Sequence, residues 1–381
     1  MRNTFIGQWW WSVDRFSFVI ILIMIAFSAF MVATASPAVA ERIGLESFFF
    51  IRKQIVYLSV ALVTLFVIST FSPKNIKLLG ATGFATGILL MVAVLFVGTE
   101  VKGATRWISL GGFSMQPSEF IKPFFTVIVA WILSKKYEHE HFPAFTTTTF
   151  IYFTLVVLLL LQPDLGMTVT ITIIWIGQMF VAGLSIVWLI ASGMGGLLLV
   201  GLSYLFLPHV TKRIDNYLNP EASENYQVTR SLEAFMNGGL YGTGPGEGLV
   251  KQHIPDSHTD FIFAVVGEEL GLLTCIIIIS LYATIVVRGF INLTNESDKF
   301  SAFTITGLLI QFGTQSMINM GVTLNLLPTK GMTLPFISYG GSSMISVAIA
   351  IGILLALSKR KFGSHLYHKI RRTSYKLREL Q

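Results

Sequence analysis

Charge is scarce in this chain. Of 381 residues, 12% are Asp, Glu, Lys or Arg and 53% are hydrophobic, whereas soluble domains carry roughly 25% charge. A shortfall spread over the whole length excludes a globular enzyme with one anchor. Cysteine is nearly missing: Cys275 stands alone, so an intramolecular disulfide is excluded and redox compartment goes unread. Polar and apolar residues do not alternate in runs such as Ile20-Ile21-Leu22-Ile23-Met24, which excludes a spanning β-barrel. The chain also lacks an internal repeat, a low-complexity tract and a soluble basic domain, and without the last its net charge of +7 does not point to nucleic acid.

What remains is apolar length. Mean hydropathy is +0.69, and runs long enough to cross a bilayer recur from end to end. The expectation is an all-α, polytopic helical membrane protein with about ten transmembrane helices, forming one domain over residues 1–381. The spans fall near 17–35, 54–72, 78–98, 119–134, 148–163, 165–182, 187–208, 261–287, 302–326 and 338–357. Gln162-Pro163-Asp164-Leu165-Gly166 divides a stretch too long for one helix, as a proline and an aspartate in a turn would. Ala38-Val39-Ala40 imitates a signal-peptidase site, but the run before it is long for a signal core, so the segment is expected to stay.

Positive charge in short loops sets orientation. With both termini cytoplasmic, that side receives Lys74, Lys77, Lys135, Lys136, Arg288, Lys299 and a basic tail, 358–381. A large outer loop, 209–260, then lies between spans seven and eight, holding four basic residues against seven acidic ones. Its stretch from Gly238 to Gly248 carries no Gly-Lys-Ser/Thr and follows no strand, so it reads weakly as a nucleotide loop. Glycine there suits tight turns and close backbone approach. Ahead of it, Tyr226–Leu232 reads as a short interfacial helix.

Chemistry concentrates at the outer rim. Asp260 sits at the mouth of the eighth span, with Ala264, Gly267 and Gly271 beneath it on one helix face. Small residues so spaced mean close helix packing, or a groove wide enough for a lipid chain. Glu268 and Glu269 lie about 12 Å deeper by helical rise and need partners, protons or water there. In the second outer loop, Ser118 is placed to cap a helix, and Glu119 and Lys122 share a face. They form either a structural ion pair or, with Arg106, an anion receptor. Trp107 is an interfacial anchor or a platform for a sugar ring. The last outer loop, from Asn325 to Ser343, has two prolines and three glycines and offers Lys330 as a third outward cation.

Taken together, Gly103–Ile108, Gln116–Lys122, Gln162–Gly166, Tyr226–Gly248, His258–Gly271 and Leu327–Ser343 resemble the SEDS family (shape, elongation, division, sporulation) of bacterial cell-wall glycosyltransferases. Lys251–Pro255 and Leu327–Gly331 look like its division branch, with the rod-elongation branch as runner-up. Arg230 and Pro245 depart from the family pattern.

The resemblance implies polymerisation of lipid II into glycan at the outer face of the bacterial cytoplasmic (inner) membrane, at the septum. Asp260 matches the family's catalytic aspartate and would take the proton of the attacking sugar hydroxyl. A single inverting displacement needs no carboxylate nucleophile. Arg106, Trp107, Lys122 and Lys330 would meet sugar and pyrophosphate, helped by a divalent cation such as Mg or Mn. Glu119, Asp164, His258, Glu268 and Glu269 would support them. Implied partners are lipid II and nascent glycan, membrane lipid, a single-span class B transpeptidase (a penicillin-binding protein) and other divisome proteins. Two other readings stay open: a lipid II translocator using Glu268 and Glu269, and a non-enzymatic scaffold.

Overall fold

The computed structural model describes residues 4–101, 104–110, 113–206, 211, 215, 226–294, 296–328 and 331–359. Helices occupy each of the ten apolar runs. A short α1 (Phe5–Ser12) precedes α2 (Arg15–Arg42), α3 (Phe49–Ser69) and α4 (Pro73–Val97). Next come α5 (Pro117–Lys135), α6 (Ala144–Leu161), α7 (Leu165–Val181) and α8 (Ile186–Phe206). The outer loop contributes α9 (Tyr226–Gly238), and α10 (Ile262–Leu293), α11 (Lys299–Thr323) and α12 (Gly341–Leu357) complete the bundle. Six of these, α2 to α6 and α10, are long and apolar enough to cross a membrane by length and composition. The helices α7 and α12 have 17 residues each. Helix α11 buries Thr304, Gln311, Gln315 and Asn319 along its length. Residues 360–381, most of the basic tail, and much of 207–225 lie outside the described residues.

The expectation of an all-α chain needs correction. Between α4 and α5, β1 (Thr99–Val101), β2 (Ala104–Leu110) and β3 (Phe113–Met115) form an antiparallel sheet in the order β1-β2-β3. Thr105, Trp107 and Ile108 are strand-favouring residue types, and they register against β1 and β3, with Trp107 opposite Thr99 and Ile108 opposite Met115. Helix α5 also starts earlier than Ser118 suggests. Gln116 is its N-cap and Pro117 its first residue, because the fixed φ of proline suits that position.

Helix α5 is the hub. It packs on α4, α6, α7, α11 and α12, and Ile121, Phe125, Val127 and Leu133 on it are fully buried. Gly80 and Gly83 of α4 admit Val127 and the Phe124 ring against its backbone. The turn between α6 and α7 falls where Pro163 and Asp164 place it. Asp164 caps α7 by accepting the Met167 N–H at 3.3 Å.

Helix α10 is broken. Gly271 has φ +77° and ψ 177°, a conformation that suits glycine. The freed backbone groups are met by the glycine-rich loop. Thr243 and Gly244 N–H donate to the carbonyls of Glu268 (2.9 Å) and Glu269 (3.0 Å), and Leu272 N–H donates to Gly239 (2.9 Å). Backbone at membrane depth must be satisfied inside the protein, so loop and break require each other.

Candidate active site

Asp260 belongs to a turn that delivers the chain into α10. Asp256 takes a positive φ of +56°, and its carbonyl accepts the Thr259 N–H at 3.0 Å. Phe261 is the helix N-cap, so Asp260 stands one residue before it. Three successive carbonyls are then fastened to the far end of the chain. Tyr339 N–H donates to His258 O (2.9 Å), Ser338 Oγ to Thr259 O (2.6 Å) and Asn319 Nδ2 to Asp260 O (2.8 Å). The Asp260 side chain is half-buried and lies against Gly331, where an added Cβ would stand 2.7 Å from Oδ2.

The last outer loop runs along α11. Asn319 Nδ2 also donates to Met332 O at 2.5 Å, and one turn earlier Gln315 Nε2 donates to Thr333 O at 3.1 Å. Gln315 Oε1 accepts from Lys122 Nζ at 2.9 Å, and Lys122 pairs with Glu119 at 2.7 Å. Lys122 is completely buried. The pair is therefore structural in this arrangement, and the ammonium reaches no outer surface. It does bear on the loop beside Asp260, through Gln315. Lys330 lies outside the described residues.

Arg106 is likewise occupied. From β2, Nε donates to Gln162 O at 3.0 Å, a second nitrogen reaches Pro163 O, and a third stands 3.9 Å from Asp164. Asp164 also accepts from Gln116 Nε2 at 3.3 Å. Arg106, Asp164 and Gln116 thus tie the sheet, the α6–α7 turn and the start of α5 into one rim. Trp107 is half-buried in β2.

Glu268 and Glu269 do not converge on Asp260. Glu268 accepts from Asn237 Nδ2 (2.9 Å), Val250 N–H (2.7 Å) and Lys251 N–H (2.8 Å). Glu269 pairs with Lys251, whose ammonium also donates to Thr34 O (3.0 Å) and Gly246 O (3.1 Å). Both carboxylates are buried and anchor the loop that completes α10. The small residues beneath Asp260 serve packing: Gly267 faces the Phe235 ring, and a Cβ on Gly238 would overlap Gly267 O. The groove expected there is filled by α9. Lys251, Asn237, Gln315 and Asn319 were not singled out as site residues in the sequence. For Lys251 a signal existed, since two deep carboxylates call for a cation.

His258 is buried between Phe50 and Tyr339, with ring centroids 4.4 and 5.2 Å away. Burial pushes its imidazole down to about 4, opposed by Asp256 and assisted by Arg42. It is neutral at physiological pH and braces the Asp260 turn by packing.

Among the described residues no three His, Cys, Asp or Glu side chains cluster as a metal cage. A Mg-type ion needs only one or two carboxylates with substrate phosphates, and Asp260 is the residue here that fits that role.

Residues 14–362 match the cell cycle protein family of FtsW, RodA and SpoVE. Two curated relatives, from Caulobacter vibrioides and Coxiella burnetii, both bear the name "Probable peptidoglycan glycosyltransferase FtsW". The first is 40% identical, covering 95% of this chain and 93% of its own. The second is 36% identical, covering 91% and 96%. A chain of a peptidoglycan synthase complex described as coordinating polymerization and crosslinking superposes with a TM-score of 0.76 at 25% identity, covering 92% of this chain and 98% of its own. The Thermus thermophilus rod shape determining protein RodA has the same fold, with a TM-score of 0.69 at 24% identity over 92% and 97%. With the family match running over residues 14–362 and relatives 36–40% identical over nearly the whole length, the chain belongs to the FtsW/RodA/SpoVE family, the SEDS proteins of the sequence resemblance.

Proposed function

We propose that this protein is a peptidoglycan glycosyltransferase that polymerises lipid II, with Asp260 as general base. The observation that carries the reading is the setting of Asp260. Its main chain is pinned at three consecutive carbonyls while its side chain stands half-buried at the outer mouth. A base positioned this way takes the proton of the sugar hydroxyl as that oxygen attacks the anomeric carbon and the pyrophosphate departs. The translocator reading loses its support, because Glu268 and Glu269 are both engaged by the loop.

Ten spans with both termini cytoplasmic and the site facing outward fit the charge pattern. At the end of the bundle opposite Asp260, Arg288 bridges Asp14 at 2.8 Å, Lys77 lies over Phe300 and Lys299 over Tyr137. Relatives named FtsW, at 36–40% identity, favour septal over side-wall work in the inner membrane. The likeness to a chain of a synthase complex supports a class B transpeptidase as partner, alongside other divisome proteins. If pyrophosphate is stabilised by protein cations, Lys330 and a rearranged Arg106 or Lys122 supply them, with Trp107 against a sugar. A divalent cation on Asp260 would add charge neutralisation there.

The test is glycan synthesis from labelled lipid II by the full chain with its transpeptidase partner, wild type against Asp260→Asn. A general base is worth about 10²–10⁴-fold, so the variant should fold, bind lipid II and make almost no glycan. Equal ladders from both proteins would remove Asp260 from the reaction.

A further inference from the structure

Asn319 is a side chain of α11 that bonds both the Asp260 turn and the last outer loop. It is buried, 1% exposed, on a helix contributing no other group to the Asp260 carbonyls described above. Its amide nitrogen has two hydrogens, and each has a main-chain acceptor: Asp260 O at 2.8 Å and Met332 O at 2.5 Å. Among the described residues its Oδ1 takes no donor. The position therefore uses asparagine as a two-donor clip between chain segments 72 residues apart, 260 and 332.

What the clip sets is the gap at the carboxylate. Met332 follows Gly331, whose missing side chain makes room for Asp260 Oδ2. Moving Met332 O relative to Asp260 O therefore moves the Gly331 backbone along the carboxylate. One turn before, Gln315 fixes the next carbonyl, Thr333 O, and carries the link on to Lys122. We propose that Asn319 is a positioning residue for glycosyl transfer, holding the Asp260 carboxylate at a set distance from the last outer loop. The inference rests on the reading of Asp260 as base. It predicts a loss in turnover rather than in substrate affinity, because the clip touches neither lipid II nor the carboxylate itself.

The molecule contains its own control. Gln178 on α7 is another fully buried amide whose nitrogen bridges two main-chain carbonyls, Thr126 O at 2.9 Å and Phe303 O at 3.0 Å. It sits where α5, α7 and α11 pack, away from Asp260. Removing either amide strands two buried carbonyls, so both substitutions should destabilise the fold alike.

The experiment compares Asn319→Ala, Gln178→Ala and Asp260→Asn in the full chain, measuring thermal unfolding together with kcat and KM for lipid II. A misplacement on the order of 1 Å costs about 100-fold, so Asn319→Ala should lower kcat by about 30-fold or more and leave KM within about 3-fold. Gln178→Ala should show the same fall in Tm with kcat nearly unchanged. If Asn319→Ala loses no more turnover than Gln178→Ala at equal loss of Tm, or loses it through KM, Asn319 is structural and the inference is overturned. Asn319→Ser, which retains one donor, is held to the same split should the alanine variant fail to fold. Full activity in Asp260→Asn would instead overturn the base, a result distinct from normal turnover in Asn319→Ala beside an inactive Asp260→Asn.

Discussion

Two carboxylate sites lie eight residues apart at the start of α10, and they are built in opposite ways. At Glu268 and Glu269 the donors go to the side chains. Asn237, two backbone N–H groups and the Lys251 ammonium meet the carboxylates directly. At Asp260 the donors described go to the main chain, and the side chain stands half-buried beside a glycine. A buried carboxylate held by such donors is a rivet: its charge is compensated where it sits. At Asp260 those donors hold the backbone, and so set where the side chain stands. Depth alone does not separate the two cases.

The largest expected effect breaks the rivet. Lys251→Met leaves Glu269 as a buried charge without its cation, a change that costs about 3–5 kcal/mol. Thermal unfolding in nanodiscs should show a large fall in Tm. The double variant Lys251→Met, Glu269→Leu should recover most of it, because replacing both charges by apolar groups is close to neutral. Asp260→Asn should do the reverse, ending glycan synthesis with little change in Tm. Should Lys251→Met abolish activity at unchanged stability, the two sites are not the opposites argued here.

A smaller effect tests the partner of the rivet. Gly238 of α9 packs so close to α10 that a Cβ would overlap Gly267 O and lie 2.7 Å from the Glu268 Cα. Backbone cannot yield as a flexible side chain can, so Gly238→Ala should cost about 1–3 kcal/mol, the usual range for overpacking. The loss should appear in Tm, with activity per folded molecule retained. Selective loss of turnover would mean that the α9–α10 contact reaches Asp260.

Much of this was legible in the sequence, and the limits have physical causes. The ten helical runs, the Pro163–Asp164 turn and the Glu119–Lys122 pair follow from local rules of hydropathy, turn chemistry and helix spacing. The small sheet was missed because three strands of three, seven and three residues between two long spans carry little signal against that background. The α10 break was missed because Gly271 stands in an apolar run, where it reads as one more packing glycine. Its complement is a loop more than 20 residues earlier. Lys251 was read as part of a family motif, and nothing local ties it to Glu269. The choice between structural and anion-receptor roles for Arg106 and Lys122 stayed open because sequence displays charge but not the carbonyls of Gln162 and Pro163 or the amide of Gln315.

The smallest prediction concerns His258, which sits between the two sites in character: buried like the glutamates, yet in the Asp260 turn. Its folded value of about 4 lies below the ordinary 6.5. In that window the unfolded chain binds the proton and the folded chain does not. Stability is therefore full above about pH 6.5 and is partly lost as pH falls toward 4. Protonation would place a charge between Phe50 and Tyr339 and beside Arg42, offset in part by Asp256. His258→Phe should flatten this part of the acid-unfolding profile while preserving the aromatic packing. It should also leave the main-chain bond from Tyr339 to residue 258 in place, so the variant should still make glycan at neutral pH. If wild type and His258→Phe lose stability in parallel between pH 6.5 and 4, the imidazole is not held neutral in the turn. The bracing of Asp260 then rests on its three carbonyl bonds alone.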